Sequence, residues 1–423
     1  MTSRSVALAA LYAPCTLLAL LALLALLAPL GAQVPVRRLA TAEAVHPEGF
    51  TRVSGLRELR DGRVIVSDAA DNMLQLIDLK TGSSTPVGRM GAGPLEWGGA
   101  SRLYAMPGDS TVMEDLRNDR FLLIAPDGRP AGTFRVDHPE VRRSSFLGVD
   151  ARGAFIIATE RRGADGPLGG SAGVRDVMRF DRRTSRVDTV AQYAVPRGEL
   201  SGASTLPGGL VQLHTNLPLA ARDVVANNAA LASDRVGIVR ANPYRVEWFP
   251  QRGAPVVGPA VAVTPIRIDD AEKQAFMESQ IRPGRIMVRA ADEARLAGGS
   301  SASAAGGGSA SGGAGARGGG SAGAISAAAM KAMQNPEMTW PANKPPFLDG
   351  AASIAADGRL WVLRSRAHDD PVPSYDVFDA AGRLVERVEL PPKARVVGFG
   401  RGVVYITRPD ADDLLMLERH RLR

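Results

Sequence analysis

The stretch DGRVIVSD, from Asp61 to Asp68, decides the fold because its pattern recurs along the chain. A turn rich in Gly or Asp comes first, a short β-type run follows, and polar residues end it. The other copies are GDSTVMED, ARGAFIIATE, GGLVQLHT, DGRLWVLRS and GRGVVYITR, beginning at Gly108, Ala151, Gly208, Asp357 and Gly400. Six copies of one supersecondary unit indicate a repeat protein.

The spacing of these copies identifies the kind of repeat. The intervals between Gly62, Gly108, Gly153, Gly208, Gly358 and Gly402 are 46, 45, 55, 150 and 44 residues. A period of about 45 residues, with four short strands in each unit, is typical of propeller blades. The interval of 150 residues is one period plus an insertion of roughly a hundred residues. The sequence therefore predicts an all-β fold, a six-bladed β-propeller.

The last copy predicts how the ring closes. The first five copies are each followed by a strand, turn and strand pattern, whereas LLMLERHRLR reaches the C-terminus without a partner strand. We expect the missing strand to be VRRLATAEAV, Val36 to Val45, near the other end of the chain. Pairing of the N- and C-terminal strands removes an open sheet edge.

The chain divides into four regions. Residues 1–32 form a signal peptide, residues 33–263 form blades one to four, and residues 346–423 form blades five and six. Between them, residues 264–345 are a helical insertion with a Gly/Ser/Ala-rich linker at 298–324. The first helix of the insertion starts with Asp269 as its N-cap and Glu272 three residues later.

The N-terminus predicts export. Arg4 is followed by an apolar run from Val6 to Leu30, and small residues end this run near Ala32, which is typical of a secretory signal. The run is also long enough to span a bilayer, so an uncleaved anchor stays an alternative. We expect a periplasmic, extracellular or surface-associated monomer. Once the signal is cleaved, no thiol remains, because the single cysteine is Cys15.

The charge of the chain gives no reason to expect a nucleic-acid partner. The net charge is +7, but the basic residues are dispersed among acidic ones. A nucleic-acid-binding protein needs a continuous basic surface. We therefore expect no nucleic-acid partner, and membrane contact only through the N-terminal segment if it is uncleaved.

The glycine-rich stretch GRMGAGPLEW, Gly88 to Trp97, does not predict a phosphate site. A dinucleotide fingerprint needs a glycine where Glu96 stands, and a P-loop ends in a lysine that is missing here. Pro94 and the strand pattern after it argue against a following helix. We interpret the glycines as conformational: they let the chain pass from the outer strand of one blade to the inner strand of the next.

The same stretch resembles the GxGxGPGEF segment of exported bacterial six-bladed β-propeller proteins. VSDAADNMLQLIDLKTG and MEDLRNDRFLLIAPDG, beginning at Val66 and Met113, resemble NHL-type or TolB-like repeats. Leu95 and Trp97 depart from the glycine and phenylalanine that are usual in this family. The resemblance implies the propeller fold and leaves the role of the loop open.

Several polar patterns have both a structural and a functional interpretation. Asp68 with Asn72, and Asp115 with Asn118, follow second strands of blades, where such side chains usually brace turns; clustered carboxylates can also bind calcium. Two G-x-S-x-G strings, at Ser171 and Ser321, lack the strand and helix of a nucleophile elbow. The five histidines show no zinc-motif spacing.

We predict a binding or scaffold module that acts through one loop face, with a protein or polar ligand of the cell envelope as its partner and without a cofactor. The predicted binding residues are Asp68, Asp71, Trp97, Asp115, Asp119, His214, Asn216, Arg364, Arg366, His368 and Arg408. The alternative is a calcium-dependent, lactonase-like hydrolase with its metal site at the central channel, which needs three convergent oxygen ligands. In a third reading the insertion tethers a structural protein to an envelope assembly.

Overall fold

The computed structural model describes residues 34–142, 144–160, 173–196, 200–205, 211–215, 219–228, 233–281 and 339–422. The predicted signal peptide, the predicted Gly/Ser/Ala-rich linker and both G-x-S-x-G serines lie outside these ranges. Within the ranges, no helix is both long and apolar enough to cross a membrane.

The strands form six antiparallel sheets arranged as the blades of a propeller, and two short α-helices occur in the described residues. The N-terminal part contains β1 (Val36–Arg38), β2 (Ala44–Phe50) and blade one, with β3 (Val53–Glu58), β4 (Val64–Asp68), β5 (Met73–Asp78) and β6 (Ser83–Pro86). A parallel pair, β7 (Arg89–Met90) and β8 (Glu96–Trp97), precedes blade two, with β9 (Leu103–Ala105), β10 (Thr111–Asp115), β11 (Arg120–Ile124) and β12 (Pro130–Phe134). Helix α1 (Pro139–Arg142) leads to blade three, with β13 (Ser145–Val149), β14 (Phe155–Glu160), β15 (Val174–Asp181) and β16 (Arg186–Ala194).

The second half of the ring follows the same plan, interrupted twice. After a separate hairpin of β17 (Leu200–Thr205) and β18 (Val211–Thr215), blade four contains β19 (Val224–Val225), β20 (Val236–Ala241), β21 (Tyr244–Phe249) and β22 (Val256–Val257). Helix α2 (Asp270–Ile281) precedes blade five, with β23 (Ala352–Ile354), β24 (Leu360–Leu363), β25 (Ser374–Phe378) and β26 (Leu384–Glu389). Blade six contains β27 (Arg395–Gly400), β28 (Val403–Pro409) and β29 (Leu415–Arg421), with β2 as its outermost strand.

The core lies between neighbouring blades, and the second strand of each blade explains why. All five residues of β4 are buried. Ile65 packs into the cluster shared with blade two, whereas Val64 and Val66 pack into the cluster shared with blade six. Alternate side chains of a strand point to opposite faces of the sheet, so a strand with a blade on either side can bury successive apolar residues, here Val64, Ile65 and Val66. Each such aliphatic side chain contributes about 1.5–3 kcal/mol when fully buried.

The ring closes through its two terminal strands, as predicted, but the closing strand differs from the expected one. Strand β2 pairs with β29 in antiparallel orientation, so only Ala44 and Val45 of the predicted strand take part. Val36–Arg38 instead adds a fifth, parallel strand to blade five, where Arg37 bonds Glu386. Pro47 and Gly49 lie inside β2, although both residue types usually interrupt a strand. The structure accommodates them in an irregularity of the pairing between Val45 and Gly49.

Blade four also differs from its predicted position. The copy at Gly208 belongs to the separate β17–β18 hairpin, and the true second strand is Val236–Ala241. The second strands begin at Val64, Thr111, Phe155, Val236, Leu360 and Val403, so their intervals are 47, 44, 81, 124 and 43 residues. The chain therefore carries two extra segments, one before and one after blade four. The repeat was missed because the inner strand of this blade, Val224–Val225, has only two residues.

The second extra segment leaves and rejoins the propeller through a paired stem, which we define as residues 262–281 and 339–346. Arg267 forms an antiparallel bridge with Asn343, and the Ile268 and Lys344 amides donate to carbonyls of the opposite strand. Asp269 Oδ1 accepts the Glu272 amide at 2.9 Å, which confirms the predicted N-cap of the helix. These contacts hold the two ends of the inserted segment together beside blade five.

Candidate functional site

One face of the propeller collects the predicted site residues. In every blade the second and fourth strands run towards this face, so it carries the second-to-third turns and the connections between blades. We call it the loop face. Asp68, Asp115, Arg364 and Arg408 all lie at the ends of second strands or directly after them. The structure places the described members in three groups, on blades one and two, on blade six, and on blade five beside the stem.

The glycine-rich loop on blades one and two encloses a carboxylate of its own chain. Glu96 accepts the Gly93 amide at 2.8 Å and also pairs with Arg89. A Cβ atom at Gly91 would collide with the Glu96 carboxylate, so glycine is required there by close approach. Trp97 fixes the base of the loop, because its indole donates to the Val87 carbonyl at 2.9 Å.

The carbonyl groups of this loop also accept hydrogen bonds from neighbouring side chains. The Arg120 guanidinium donates to the carbonyls of Ala92, Gly93 and Glu96 at 2.8–2.9 Å. The Asn118 amide donates to the Gly91 carbonyl at 2.9 Å. The loop is therefore a rigid connection built around its own side chains, with the Gly93 amide already occupied by a carboxylate.

Asp68 and Asp115 brace the turns that follow their strands. Asp68, 1% exposed, accepts four backbone amides, those of Thr51, Arg52, Ala70 and Asp71, at 2.8–3.1 Å. Asp115 is fully buried and accepts from the Gly98 amide, Asn118 and Arg120. A carboxylate has about four acceptor positions, so these contacts occupy the two side chains. The predicted turn bracing is confirmed, while Asp71 and Asp119 are exposed beside them.

The predicted residues of blades four and six are not brought together with these. His214 lies in the β18 hairpin strand rather than in blade four, and Asn216 lies outside the described residues. Arg408, half-exposed, donates through Nε and Nη2 to Glu418 at 3.0 and 2.8 Å. Glu418 also contacts His420 Nε2 at 2.9 Å. Arg408 thus belongs to a structural network within blade six.

A narrow cleft opens on the loop face between blade four, blade five and the stem. We call it the stem cleft. It is lined by Tyr244, Ala262, Val263, Thr264, Ile266, Lys344, Pro345, Pro346, Arg364, Ser365 and Asp376. Tyr244 begins the third strand of blade four, and Arg364 with Ser365 directly follows β24 of blade five. The propeller provides one wall and the stem provides the other.

A buried carboxylate joins the two blades at the floor of the stem cleft. Asp376 accepts the Tyr244 hydroxyl at 3.1 Å and Arg387 Nε at 2.9 Å. Arg364 Nε lies 3.5 Å from the same carboxylate. Burial, and then the neighbouring Asp376 charge, raises the pKa of Tyr244 well above its usual value, so the phenol stays a hydrogen-bond donor.

The stem side contains a second buried carboxylate with its own cation. Glu272 of α2 pairs with Lys344 and accepts the His368 amide at 2.8 Å. Lys344 Nζ also donates to the Arg366 carbonyl at 2.8 Å. His368 Nδ1 lies 3.5 Å from Glu272. These contacts fasten the stem to the turn after β24 and fix Lys344 at the edge of the cleft.

Ser365 adds an uncommitted polar atom to the stem cleft. Its Oγ is buried and has no hydrogen-bond partner among the residues that the structure describes. A buried hydroxyl without a partner costs roughly 1–3 kcal/mol, which a ligand atom in the cleft would offset.

Sequence reasoning found Arg364, Arg366 and His368 of this third group but missed Tyr244, Glu272, Lys344 and Asp376. Glu272 was recognised only as a helix-start residue, and Asp376 lies within an ordinary strand pattern. Nothing in their local sequence marks them, because they meet only through the packing of blade five on blade four and the stem.

Within the described residues, no three His, Cys, Asp or Glu side chains are grouped so that they could hold a metal ion.

Comparison with known proteins found similar solved structures. No protein-family model matches the chain, and no curated protein sequence matches it. Similar solved structures include regucalcin, a calcium-binding protein of Agrobacterium tumefaciens (11% identity, 92% of this chain and 97% of that chain, TM-score 0.39). Others are a Bacteroides fragilis protein described as exported (10%, 92% and 94%, TM-score 0.44) and a Xanthomonas campestris gluconolactonase (12%, 88% and 87%, TM-score 0.40).

Proposed function

We propose that the protein is an exported binding module that takes a small polar ligand in the stem cleft. The observation that carries this proposal is the set of polar groups that line this cleft: Arg364, Lys344 and the unpartnered Ser365 hydroxyl. Binding sites for small molecules are typically concave, with a few polar groups that fix the ligand's orientation.

The layout of the chain supports this position. The two extra segments flank blade four, and both leave the propeller on the loop face, after fourth strands. The opposite face is connected by short turns, such as the one between β4 and β3 or that between β24 and β23. Functional residues are commonly held on loops above a rigid scaffold. The stem of the second segment forms one wall of the cleft itself.

The experiment uses thermal unfolding of the purified protein against a fixed panel of sugars, amino acids, organic acids and inorganic phosphate. A ligand that binds only the native state raises the unfolding temperature by mass action. We expect at least one compound to stabilise the wild type and to have no effect on Ser365→Trp, whose side chain fills the cleft. Leu414→Trp, an exposed position on the same face, is the matched control and should respond like the wild type.

Two results would contradict the proposal. One is the absence of any stabilising compound in the panel. The other is an equal response of the wild type and Ser365→Trp, which would place binding elsewhere. Addition of calcium or EDTA tests the hydrolase alternative in the same assay: a large shift with calcium, together with hydrolysis of gluconolactone, would favour that alternative over a binding module.

A further inference from the structure

We infer that the stem cleft selects a small monoanionic carboxylate, an inference that rests on the proposed function. The charges in and directly behind the cleft do not balance. Three cations, Lys344, Arg364 and Arg387, contact two carboxylates, Glu272 and Asp376. Both anions are buried and already paired. The site therefore retains one positive charge that no side chain in this group neutralises.

The surplus charge is located on Arg364. Arg387 holds Asp376 at 2.9 Å, and Lys344 holds Glu272. Arg364 makes only the longer 3.5 Å contact, through Nε, and its side chain is 28% exposed. Its terminal nitrogens make no hydrogen bond to another residue in the described part of the chain. A guanidinium in this state presents a planar pair of donors.

Other arginines of the loop face use terminal guanidinium nitrogens in hydrogen bonds to neighbouring residues. The Arg120 guanidinium donates hydrogen bonds to three carbonyls of the glycine-rich loop, and two nitrogens of Arg408 donate to Glu418. The contrast shows what a structural arginine looks like on this surface. Arg364 is instead directed at the cleft that it lines.

The chemistry of the site favours a carboxylate. An arginine fork matches the two oxygens of a carboxylate in a bidentate pair. One net positive charge balances a monoanion, whereas a phosphate dianion would leave a negative charge in a partly buried site. The Ser365 hydroxyl and the Lys344 ammonium lie on the same lining and supply further polar contacts. A small hydroxy acid, whose carboxylate pairs with Arg364 and whose hydroxyl contacts the polar lining, suits these groups.

The test compares probes that differ only in charge, at constant ionic strength. The carboxylates are lactate and gluconate, the neutral counterparts are lactamide and glucose, and inorganic phosphate is the third arm. Binding is measured by calorimetry and by thermal unfolding. We expect a saturable response to one or both carboxylates, and affinities lower by about tenfold or more for the neutral counterparts and for phosphate.

Two variants locate the response. Arg364→Met should reduce carboxylate affinity by about tenfold or more, and Arg364→Lys should restore only part of it, because the fork is lost. Arg408→Met is the matched control and should bind like the wild type. Asp376 keeps Arg387 and Tyr244 in the Arg364 variants, so folding is expected to be retained and is verified by the unfolding transition without probe.

The outcomes separate this inference from the proposed function. Equal binding of glucose and gluconate with no effect of Arg364→Met, or a preference for phosphate, overturns the carboxylate inference and leaves a binding module. No response to either carboxylate also overturns the inference. A carboxylate response that persists in Ser365→Trp moves the site away from the stem cleft and counts against both.

Discussion

Single residues on the loop face show two opposite ways of burying a carboxylate. Asp68 is surrounded by backbone amides that satisfy its oxygens. Glu114, one position before Asp115 on β10, has only the neighbouring Arg102 charge to favour ionisation, and burial outweighs it. The pKa of Glu114 is thereby raised from 4.5 to about 7. Asp68 stabilises the folded state as an anion, whereas burial favours the protonated, neutral form of Glu114.

For Asp68, we expect Asp68→Asn to destabilise the protein by about 2–4 kcal/mol, because an amide group turns one acceptor into a donor among buried donors. Urea unfolding gives this difference. Asp71→Asn, an exposed neighbour in the same turn, should change the free energy of unfolding very little. Equal effects of the two substitutions would contradict the assigned bracing role.

For Glu114, the raised pKa fixes the direction of the pH dependence. The folded state retains a proton that the unfolded state releases near pH 4.5, so its contribution to stability is lost as the pH rises towards about 7. Glu114→Gln should therefore be more stable than the wild type above that pH by about 1–3 kcal/mol. Urea unfolding on both sides of this range measures it, and a pH-independent difference would rule it out.

At the scale of elements, the closing strand contains a fully buried histidine. His46 stacks on Phe50 at 5.7 Å, and both of its ring nitrogens lack a hydrogen-bond partner among the described residues. Burial lowers its pKa below 6.5, and the nearby exposed Glu48 opposes this only in part. The ring therefore remains neutral in the seam between the terminal strands.

This seam should be sensitive to acid. Below pH 6.5 the unfolded state takes up a proton that folded His46 does not, so stability falls as the pH drops towards the lowered folded pKa. His46→Leu removes this proton uptake and should reduce the loss of stability between pH 7 and pH 5. Thermal unfolding of both proteins across this interval is the measurement. Parallel pH profiles would show that His46 does not control the acid response of the seam.

Sequence patterns predicted those elements whose signal is local. The buried second strands and the N-cap of α2 were readable because periodicity and capping depend on neighbouring residues. Strand β1 and the two-residue strand β19 were not, because their pairing is set by distant partners. The stem cleft follows the same rule: its arginine was found in a loop, but the partners Tyr244 and Asp376 are joined only by the docking of two blades.

At the scale of the whole molecule, the repeat and the inserted segments are separable. The two feet of the second insertion pair with each other, and α2 is fastened to blade five through Glu272. The described wall of the stem cleft opposite the propeller is formed by residues of the stem itself.

We therefore expect that replacing residues 282–338 with a short Gly/Ser linker leaves the unfolding temperature nearly unchanged and preserves ligand binding in the stem cleft. Long surface insertions have a small thermodynamic effect when their ends are held close together. A replacement that extends into 262–281 and 339–346 should instead abolish binding. Loss of binding in the shorter replacement would mean that the residues beyond the stem take part in the site.

The pairing of β2 with β29 also sets an order of events in time. Strand β2 is synthesised before blades one to five, and its partner β29 is synthesised after them. Strand β2 must therefore wait, unpaired, while these five blades are completed. Contacts between such distant segments form slowly, and an unpaired strand can meanwhile associate with another chain. The pairing of β29 with β2 is thus the step that commits a finished ring to its native state.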